Sequence, residues 1–310
     1  MTTKIEWARN ADGSRGETWN PTTGCDRVSE GCRACYALTL AARLKAMGQA
    51  KYQRDGDPRT SGPGFGLSLH PDVLDIPLRR KKPTTWFVDS MSDLFHPEVP
   101  KDFIAKVFAV MAATPAHTYQ VLTKRPQRMA DLVADGRFRR RVQGCESDDV
   151  VVPVVSQAWP LPNVWLGASI ESDAYAWRTD HLRRTPAAVR FLSLEPLLGP
   201  VPSLHLDGIH WVIAGGESGS RARPMDPDWV RDIRDRCVEA EVPLFVKQMG
   251  SRYGRDHHNP DTWPEDLRVR DMPEQCRSGG VSGRPVPCWA PRRRVPGGER
   301  ARGLSATAAL

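Results

Sequence analysis

Short apolar runs separated by helix-length amphipathic stretches set the strongest limit on the fold of this chain. The apolar runs cover residues 85–88, 118–122, 164–167, 189–192, 210–213 and 243–246, and their length and composition are typical of buried strands. The amphipathic stretches cover residues 36–48, 100–113, 126–135, 173–185 and 226–240, several of them after a Pro or Asp that favours a helix start. Because strands that alternate with helices form parallel sheets, we expect an α/β fold.

A further strand is predicted within residues 17–23. About seven βα units favour a single incomplete or distorted (βα) barrel of about six to seven parallel strands over an open doubly wound sheet. The barrel domain is expected to cover residues 1–276, with long insertions at 49–83 and 137–162. Long loops in a compact α/β domain are usually lids or binding loops when they are not disordered.

The net charge of +7 is concentrated at the end of the sequence. Residues 277–310 contain seven Arg and a single acid, Glu299, in a Gly-, Pro- and Arg-rich stretch without periodicity, which predicts a disordered basic tail. The preceding residues are almost neutral, so the overall basicity gives no evidence that the folded part binds nucleic acid. Basic runs at 79–82 and 137–141 are more typical of a solvated surface.

Polar side chains follow the predicted strands, where each strand ends. The clusters are residues 89–93, 123–125, 169–172, 193–195, 215–219 and 247–248. The carboxyl ends of parallel strands lie on one rim, where α/β folds build their active sites. We therefore predict a site on this rim, with Lys124, Glu195 and Lys247 as candidate catalytic residues.

Individual members of these clusters have plainer alternatives. Lys124 and Arg125 are suited to fixing a carboxylate or phosphate, but they are equally typical of structural ion pairs. Gly215, Gly216 and Glu217 suggest a backbone that approaches a ligand beside a carboxylate for an amine or ribose hydroxyl, and a simple tight turn explains them as well.

Three cysteines, Cys25, Cys32 and Cys35, lie within eleven residues in the loop 24–36. No fourth cysteine follows within a hundred residues. Structural zinc sites normally close a tetrahedron of Cys and His ligands, whereas three thiolates on a cubane iron–sulfur cluster leave one iron free for a substrate or cofactor. The other four cysteines are scattered singly, which favours reduced thiols over disulfides. The three cysteines are therefore the candidate metal ligands.

Sequence motifs from Ile5 to about Pro273 resemble those of the phage- and prophage-encoded three-Cys-motif proteins, an uncharacterised family similar to divergent radical S-adenosylmethionine enzymes. The motifs lie at residues 18–25, 31–37, 90–96, 122–126, 191–197, 215–219 and 245–248. The cysteine spacing differs from the usual radical S-adenosylmethionine pattern, because six residues instead of three separate the first two cysteines. Tyr36 also follows the last cysteine, whereas the aromatic residue of the usual pattern precedes it.

This resemblance implies a 4Fe–4S cluster on the three cysteines and S-adenosylmethionine as the second cofactor. The implied chemistry is reductive cleavage of S-adenosylmethionine to a 5′-deoxyadenosyl radical, with the barrel orienting the substrate. The residues expected to contact the cofactor are Ser90, Ser92, Ser169, Glu171, Gly215, Gly216 and Glu217. The implied partners are an electron donor and a second phage-encoded protein.

The substrate is predicted only as a class. The Leu122-Thr123-Lys124 step is similar to that of spore photoproduct lyase, a radical enzyme that repairs DNA, which suggests nucleic-acid modification or repair. The N-terminus has no apolar signal region and no stretch reaches the roughly 18 apolar residues of a membrane span, so we expect a cytoplasmic protein without membrane partners.

A non-catalytic module is the alternative interpretation. In it the three cysteines and a histidine, His70 or His96, bind zinc and brace the N-terminal loop. The rim of the (βα) module would then bind a protein partner or nucleic acid. A fourth ligand close to the cysteines would favour this interpretation.

Overall fold

The computed structural model describes Thr3, residues 5–144 and residues 158–273. The predicted tail 277–310 lies outside the described residues, as does the part of the second predicted insertion from 145 to 157.

Every predicted apolar run forms a strand. In chain order the strands are β1 (Glu17–Trp19), β2 (Thr22–Thr23), β3 (Ser68–Leu69), β4 (Thr85–Val88), β5 (Thr118–Thr123), β6 (Val164–Ser169), β7 (Val189–Leu194), β8 (Trp211–Gly215) and β9 (Leu244–Gln248). Seven of them pair in parallel in the order β1-β4-β5-β6-β7-β8-β9 and curl into a half-barrel, while β2 and β3 form a separate antiparallel pair. The predicted incomplete (βα) barrel is confirmed.

Helices flank the half-barrel. They are α1 (Tyr36–Ala46), α2 (Ile76–Arg79), α3 (Lys101–Ala113), α4 (Pro126–Val133), α5 (Gly136–Gln143), α6 (Arg178–Arg184) and α7 (Pro227–Glu239). The predicted helix 173–185 is divided into a 3-10 turn at Asp173–Tyr175 followed by α6. Within the described ranges, no helix combines the length and the apolar character that a membrane crossing requires.

The predicted insertions contain more regular structure than the sequence analysis expected. The first includes β3 and α2, and the second begins inside α5. Helix α5 forms because Asp135 caps it by accepting a hydrogen bond from the Arg137 backbone N–H. Its apolar residues Phe138 and Val142 lie one turn apart and are buried, and the Phe138 ring packs edge-on against Phe108 of α3 at 5.4 Å.

The two faces of the sheet have different surroundings, because successive side chains of a strand point to opposite sides. One face packs against the helices in a large apolar core that includes Trp86, Leu166 and Val212. On the other face an aromatic cluster closes the amino end; it is formed by Trp7, Phe87, Trp165, Phe191, Trp211 and Phe245. Trp7 comes from the N-terminal segment and contacts Phe87 at a ring distance of 4.8 Å.

Polar residues continue the face of this aromatic cluster toward the carboxyl ends of the strands. Ser169, Ser193 and Lys247 follow Trp165, Phe191 and Phe245 at even spacing on the same strands. Their side chains therefore lie on the same face of the sheet. Ser169 and Ser193 are register partners on neighbouring strands. The inner face of the half-barrel is thus apolar at one end and polar at the rim.

Candidate functional site

A cavity of about 250 Å³ lies at the polar rim of the half-barrel. Eleven of the thirteen predicted site residues line it: Cys25, Cys32, Cys35, Ser90, Ser92, Lys124, Ser169, Glu195, Gly216, Glu217 and Lys247. The other two, Glu171 and Gly215, are buried and do not line it. The structure therefore brings the cysteine loop and the strand ends to one place, as the sequence analysis predicted.

Contacts on both sides attach the cysteine loop to the rim. On one side the Ser92 hydroxyl donates a hydrogen bond to the Gly24 carbonyl at 2.6 Å. On the other side the Ser172 hydroxyl donates to the Glu30 carboxylate at 2.7 Å, and the Arg223 guanidinium donates to the Glu30 carbonyl at 3.2 Å. The loop therefore spans the mouth of the half-barrel with its thiols facing the cavity.

Apolar side chains pack against two of the three cysteines. Cys32 is buried, and Cys25 and Cys35 are partly buried beside Phe65 and Met91. Burial raises the pKa of Cys25 to about 12 and also raises the pKa of Cys35. Because a thiol must lose its proton to bind a metal, metal binding at these residues would release protons.

Arg125 contacts a thiol directly. Its Nη1 donates to Cys25 Sγ at 3.4 Å and to Asp93 Oδ2 at 2.9 Å, and its Nη2 donates to the Asp26 carbonyl at 3.2 Å. Asp93 also accepts from the Thr123 hydroxyl at 2.7 Å. Arg125 is thus held by a carboxylate of the chain, as a structural ion pair. Burial and the Asp93 carboxylate raise the pKa of Cys25, and Arg125 offsets part of that increase.

Lys124, which lines the cavity, forms an ion pair with Glu171, which does not line it. Glu171 is fully buried and accepts hydrogen bonds from Lys124 and, at 2.9 Å, from Arg178. It also accepts from the Ser29 hydroxyl at 2.7 Å, and a Cβ atom on Gly31 would lie 2.5 Å from its Cγ. Although burial works in the opposite direction, Lys124 and Arg178 lower the pKa of Glu171. Glu171 therefore holds the cysteine loop in place.

Glu195 and Lys247 form an ion pair that faces the cavity. Lys247 Nζ lies 2.9 Å from Glu195 Oε1, and the two residues come from the ends of β7 and β9, on either side of β8. Gly215 lies on β8 between them, where an added Cβ would lie 3.0 Å from Glu195 Oε1. Because Gly215 has no side chain, Glu195 and Lys247 have room to contact each other across β8.

The Glu217 carboxylate is bound by Arg223 of the same chain. Both carboxylate oxygens accept from the Arg223 guanidinium, at 2.6 and 2.9 Å. Burial alone would raise the pKa of Glu217, but these hydrogen bonds lower it. Its neighbour Gly216 permits a close backbone approach, because a Cβ there would lie 2.7 Å from Gly250 Cα. Part of the predicted ligand-binding turn therefore serves to pack the rim loops together.

Asp89 and Gln248 are among the cavity-lining residues to which the sequence analysis gave no role. Asp89 follows β4 with a positive φ of 55° and is buried. Gln248 ends β9. Its Nε2 donates to the Gly216 carbonyl at 3.0 Å, and its buried Oε1 has no hydrogen-bond partner among the described residues. Their position directly at a strand end was the available signal. An unpaired buried acceptor beside a cavity is suited to an N–H donor of a ligand.

The histidines considered as a fourth metal ligand are engaged elsewhere. His96 Nε2 contacts Asp26 Oδ2 at 3.0 Å, and its Nδ1 accepts from the Glu98 backbone N–H at 3.3 Å. His70 Nε2 contacts the Thr23 hydroxyl at 2.8 Å. Across Thr3, 5–144 and 158–273, no three His, Cys, Asp or Glu side chains are grouped as they would be around a single metal ion.

The arrangement combines three thiols, two adjacent cations and a polar rim around one cavity.

Comparison with curated proteins and with solved structures finds no match. One family model, described as a protein of unknown function (DUF5131), matches residues 2–281. The match covers nearly the whole sequence, and the chain therefore belongs to the DUF5131 family.

Proposed function

We propose that the chain is a radical S-adenosylmethionine-like iron–sulfur enzyme of the phage and prophage three-Cys-motif type. The observation that carries this proposal is the meeting of Cys25, Cys32 and Cys35 with the polar strand ends in a single cavity. Thiols that bind a purely structural metal have no need of a cavity lined by charged and hydroxyl side chains.

The donor set fits a cubane cluster better than one zinc ion. Structural zinc takes four Cys or His ligands, whereas the two candidate fourth ligands, His70 and His96, contact Thr23 and Asp26. A cubane binds each thiolate at a different iron atom, so three cysteines leave one iron free for a cofactor. Lys124 and Arg125 lower the electrostatic cost of the thiolates at Cys35 and Cys25. This supports Cys25, Cys32 and Cys35 as the residues that hold the cluster.

In this proposal the other residues that line the cavity bind and orient the cofactor. Ser169, Glu195 and Lys247 present hydroxyl, carboxylate and ammonium groups to a polar cofactor, and Gln248 Oε1 offers an acceptor to an N–H donor. The chemistry that the cluster and S-adenosylmethionine supply when bound is reductive cleavage to a 5′-deoxyadenosyl radical. The aromatic cluster below the rim keeps water out of the barrel interior.

Metal analysis tests the proposal. Protein purified without oxygen is expected to hold about four irons and four sulfides per chain with a visible cluster absorbance, and the Cys25/Cys32/Cys35→Ala triple variant is expected to lose both. Cys237→Ala is the matched control, because Cys237 is a free, buried cysteine of α7 outside the cavity; this variant should keep the cluster.

The opposite result is equally clear. One zinc per chain without sulfide, lost in the triple variant, would contradict the proposal and favour the non-catalytic module. Retention of iron and sulfide in the triple variant would show that other residues bind the cluster.

A further inference from the structure

The three thiols of the cavity have different neighbours. The Arg125 guanidinium donates a hydrogen bond to Cys25 Sγ at 3.4 Å. Cys32 Sγ lies 3.6 Å from the Ser29 hydroxyl, and backbone N–H groups at the start of α1 approach the thiol of Cys35. Of these three kinds of neighbour only the guanidinium carries a full charge. Cys25 is therefore electrostatically distinct from the other two cysteines.

The chain holds the Arg125 guanidinium in place. Its side chain is 11% exposed, and it also donates to Asp93 Oδ2 at 2.9 Å and to the Asp26 carbonyl at 3.2 Å. Asp93 is fixed in turn, because its Oδ1 accepts from the Thr123 hydroxyl at 2.7 Å and from the Phe95 backbone N–H at 3.0 Å. A guanidinium does not lose its proton in proteins. A fixed cation and a fixed carboxylate therefore act on the same cysteine sulfur.

We propose that Arg125 and Asp93 together set the reduction potential of the metal centre through Cys25. The inference rests on the proposed function and names two positioning residues for it. One electron enters the centre on reduction, and no atom is transferred. A cation that donates to a ligand sulfur favours the reduced, more negative form, and a nearby carboxylate opposes it. Arg125 is therefore expected to raise the potential and Asp93 to lower it.

The burial of the pair makes these opposing effects measurable. The side chains of Arg125 and Asp93 are 11 and 6% exposed, so mobile ions screen their charges weakly. Removal of either partner leaves the other as an uncompensated charge beside Cys25. The two single variants are therefore expected to shift the potential in opposite directions, which a general loosening of the site would not do.

A redox titration of the full chain tests the inference, with the iron–sulfur protein kept free of oxygen and followed by its visible absorbance. Arg125→Gln is expected to lower the equilibrium constant for reduction by about tenfold, which is about 59 mV for one electron. Asp93→Asn is expected to raise it by a similar factor, since Arg125 then acts alone. The double variant Asp93→Asn/Arg125→Gln removes both charges and should lie between the two single variants.

Two further variants separate the charge from the fold. Arg128→Gln is the matched control, because Arg128 belongs to the same helix, donates to the Val99 carbonyl at 2.7 Å and does not line the cavity; its potential should equal that of wild type. Arg125→Lys keeps the charge and loses the fork that spans Asp93 and Cys25. Its potential should lie between those of wild type and Arg125→Gln, and this variant carries the test if Arg125→Gln binds little iron.

The outcomes separate this inference from the proposed function. Wild-type protein without iron and sulfide would contradict the proposed function, and the inference would fail with it. A loaded centre whose potential is unchanged in both single variants, or shifts in the same direction in both, would overturn the inference alone. Loss of iron from both Arg125 variants would also overturn it, because Arg125 would then build the site instead of setting its potential.

Discussion

Asp89 combines a left-handed backbone with a buried carboxyl group at the cavity wall. Asp and Asn tolerate a positive φ better than most residues do. Burial raises the pKa of Asp89 to about 8, with a contribution from Asp93, although hydrogen bonds from Thr22 work in the opposite direction. The folded protein therefore keeps a proton on this carboxyl at neutral pH.

Replacing this carboxyl should change how stability depends on pH. Between about pH 4 and pH 8 the folded state holds the proton and the unfolded state has lost it, so this group makes the free energy of unfolding fall as pH rises. Asp89→Asn keeps an acceptor for the Thr22 N–H and removes the titration. We predict that its stability gain over wild type, measured by urea unfolding, grows from pH 4.5 to pH 8.5. An equal difference at every pH would contradict the assignment.

The cysteine loop depends on one residue without a side chain. Gly31 has no positive φ, so its importance is steric: a Cβ would lie 2.5 Å from Glu171 Cγ. Glu171 cannot move aside easily, because Lys124, Arg178 and Ser29 hold both carboxylate oxygens. The fixed carboxylate thus determines how closely the loop approaches the barrel.

Gly31→Ala is expected to destabilise the protein by about 1–3 kcal/mol, because overpacking forces the loop away from Glu171. It should also lower the iron bound per chain, as the three thiols would no longer reach the cavity together. Gly136→Ala is the control, since the nearest atom to a Cβ there lies 3.6 Å away, at the flexible end of Arg140. Unchanged stability and iron content in Gly31→Ala would show that Glu171 does not fix the loop.

The strands were predictable and many site contacts were not, for physical reasons. The composition of apolar runs such as 164–167 indicates that they are buried. Because the strands are parallel, the polar residues that follow these runs lie on one rim. The contact of Arg125 with Cys25 joins residues a hundred positions apart, and no local pattern reveals it. Glu217 illustrates the same difficulty, because its binding by Arg223 became visible only in three dimensions.

The charge of the whole chain gives a separate prediction about the nucleic-acid substrate proposed from the Leu122–Lys124 similarity. The basic residues 277–310 hold most of the net charge, so they dominate any nonspecific attraction to phosphates. We predict that replacing their seven arginines by Gln leaves measurable binding to single-stranded DNA with a shallower salt dependence. Complete loss of binding would show that the tail, and not the rim, makes the contact.

The order of strands in the half-barrel has a consequence for how the protein matures. Each strand pairs with the next strand of the large sheet along the chain, from β1 to β9. The thiols follow the first strand during synthesis, whereas Lys247 and Gln248 arrive with the last. A chain that folds as it is synthesised therefore exposes its thiols before it has a pocket to shelter them. Under the proposed function, the cluster is inserted only after the sheet is complete, and the thiols of the nascent chain must stay reduced until then.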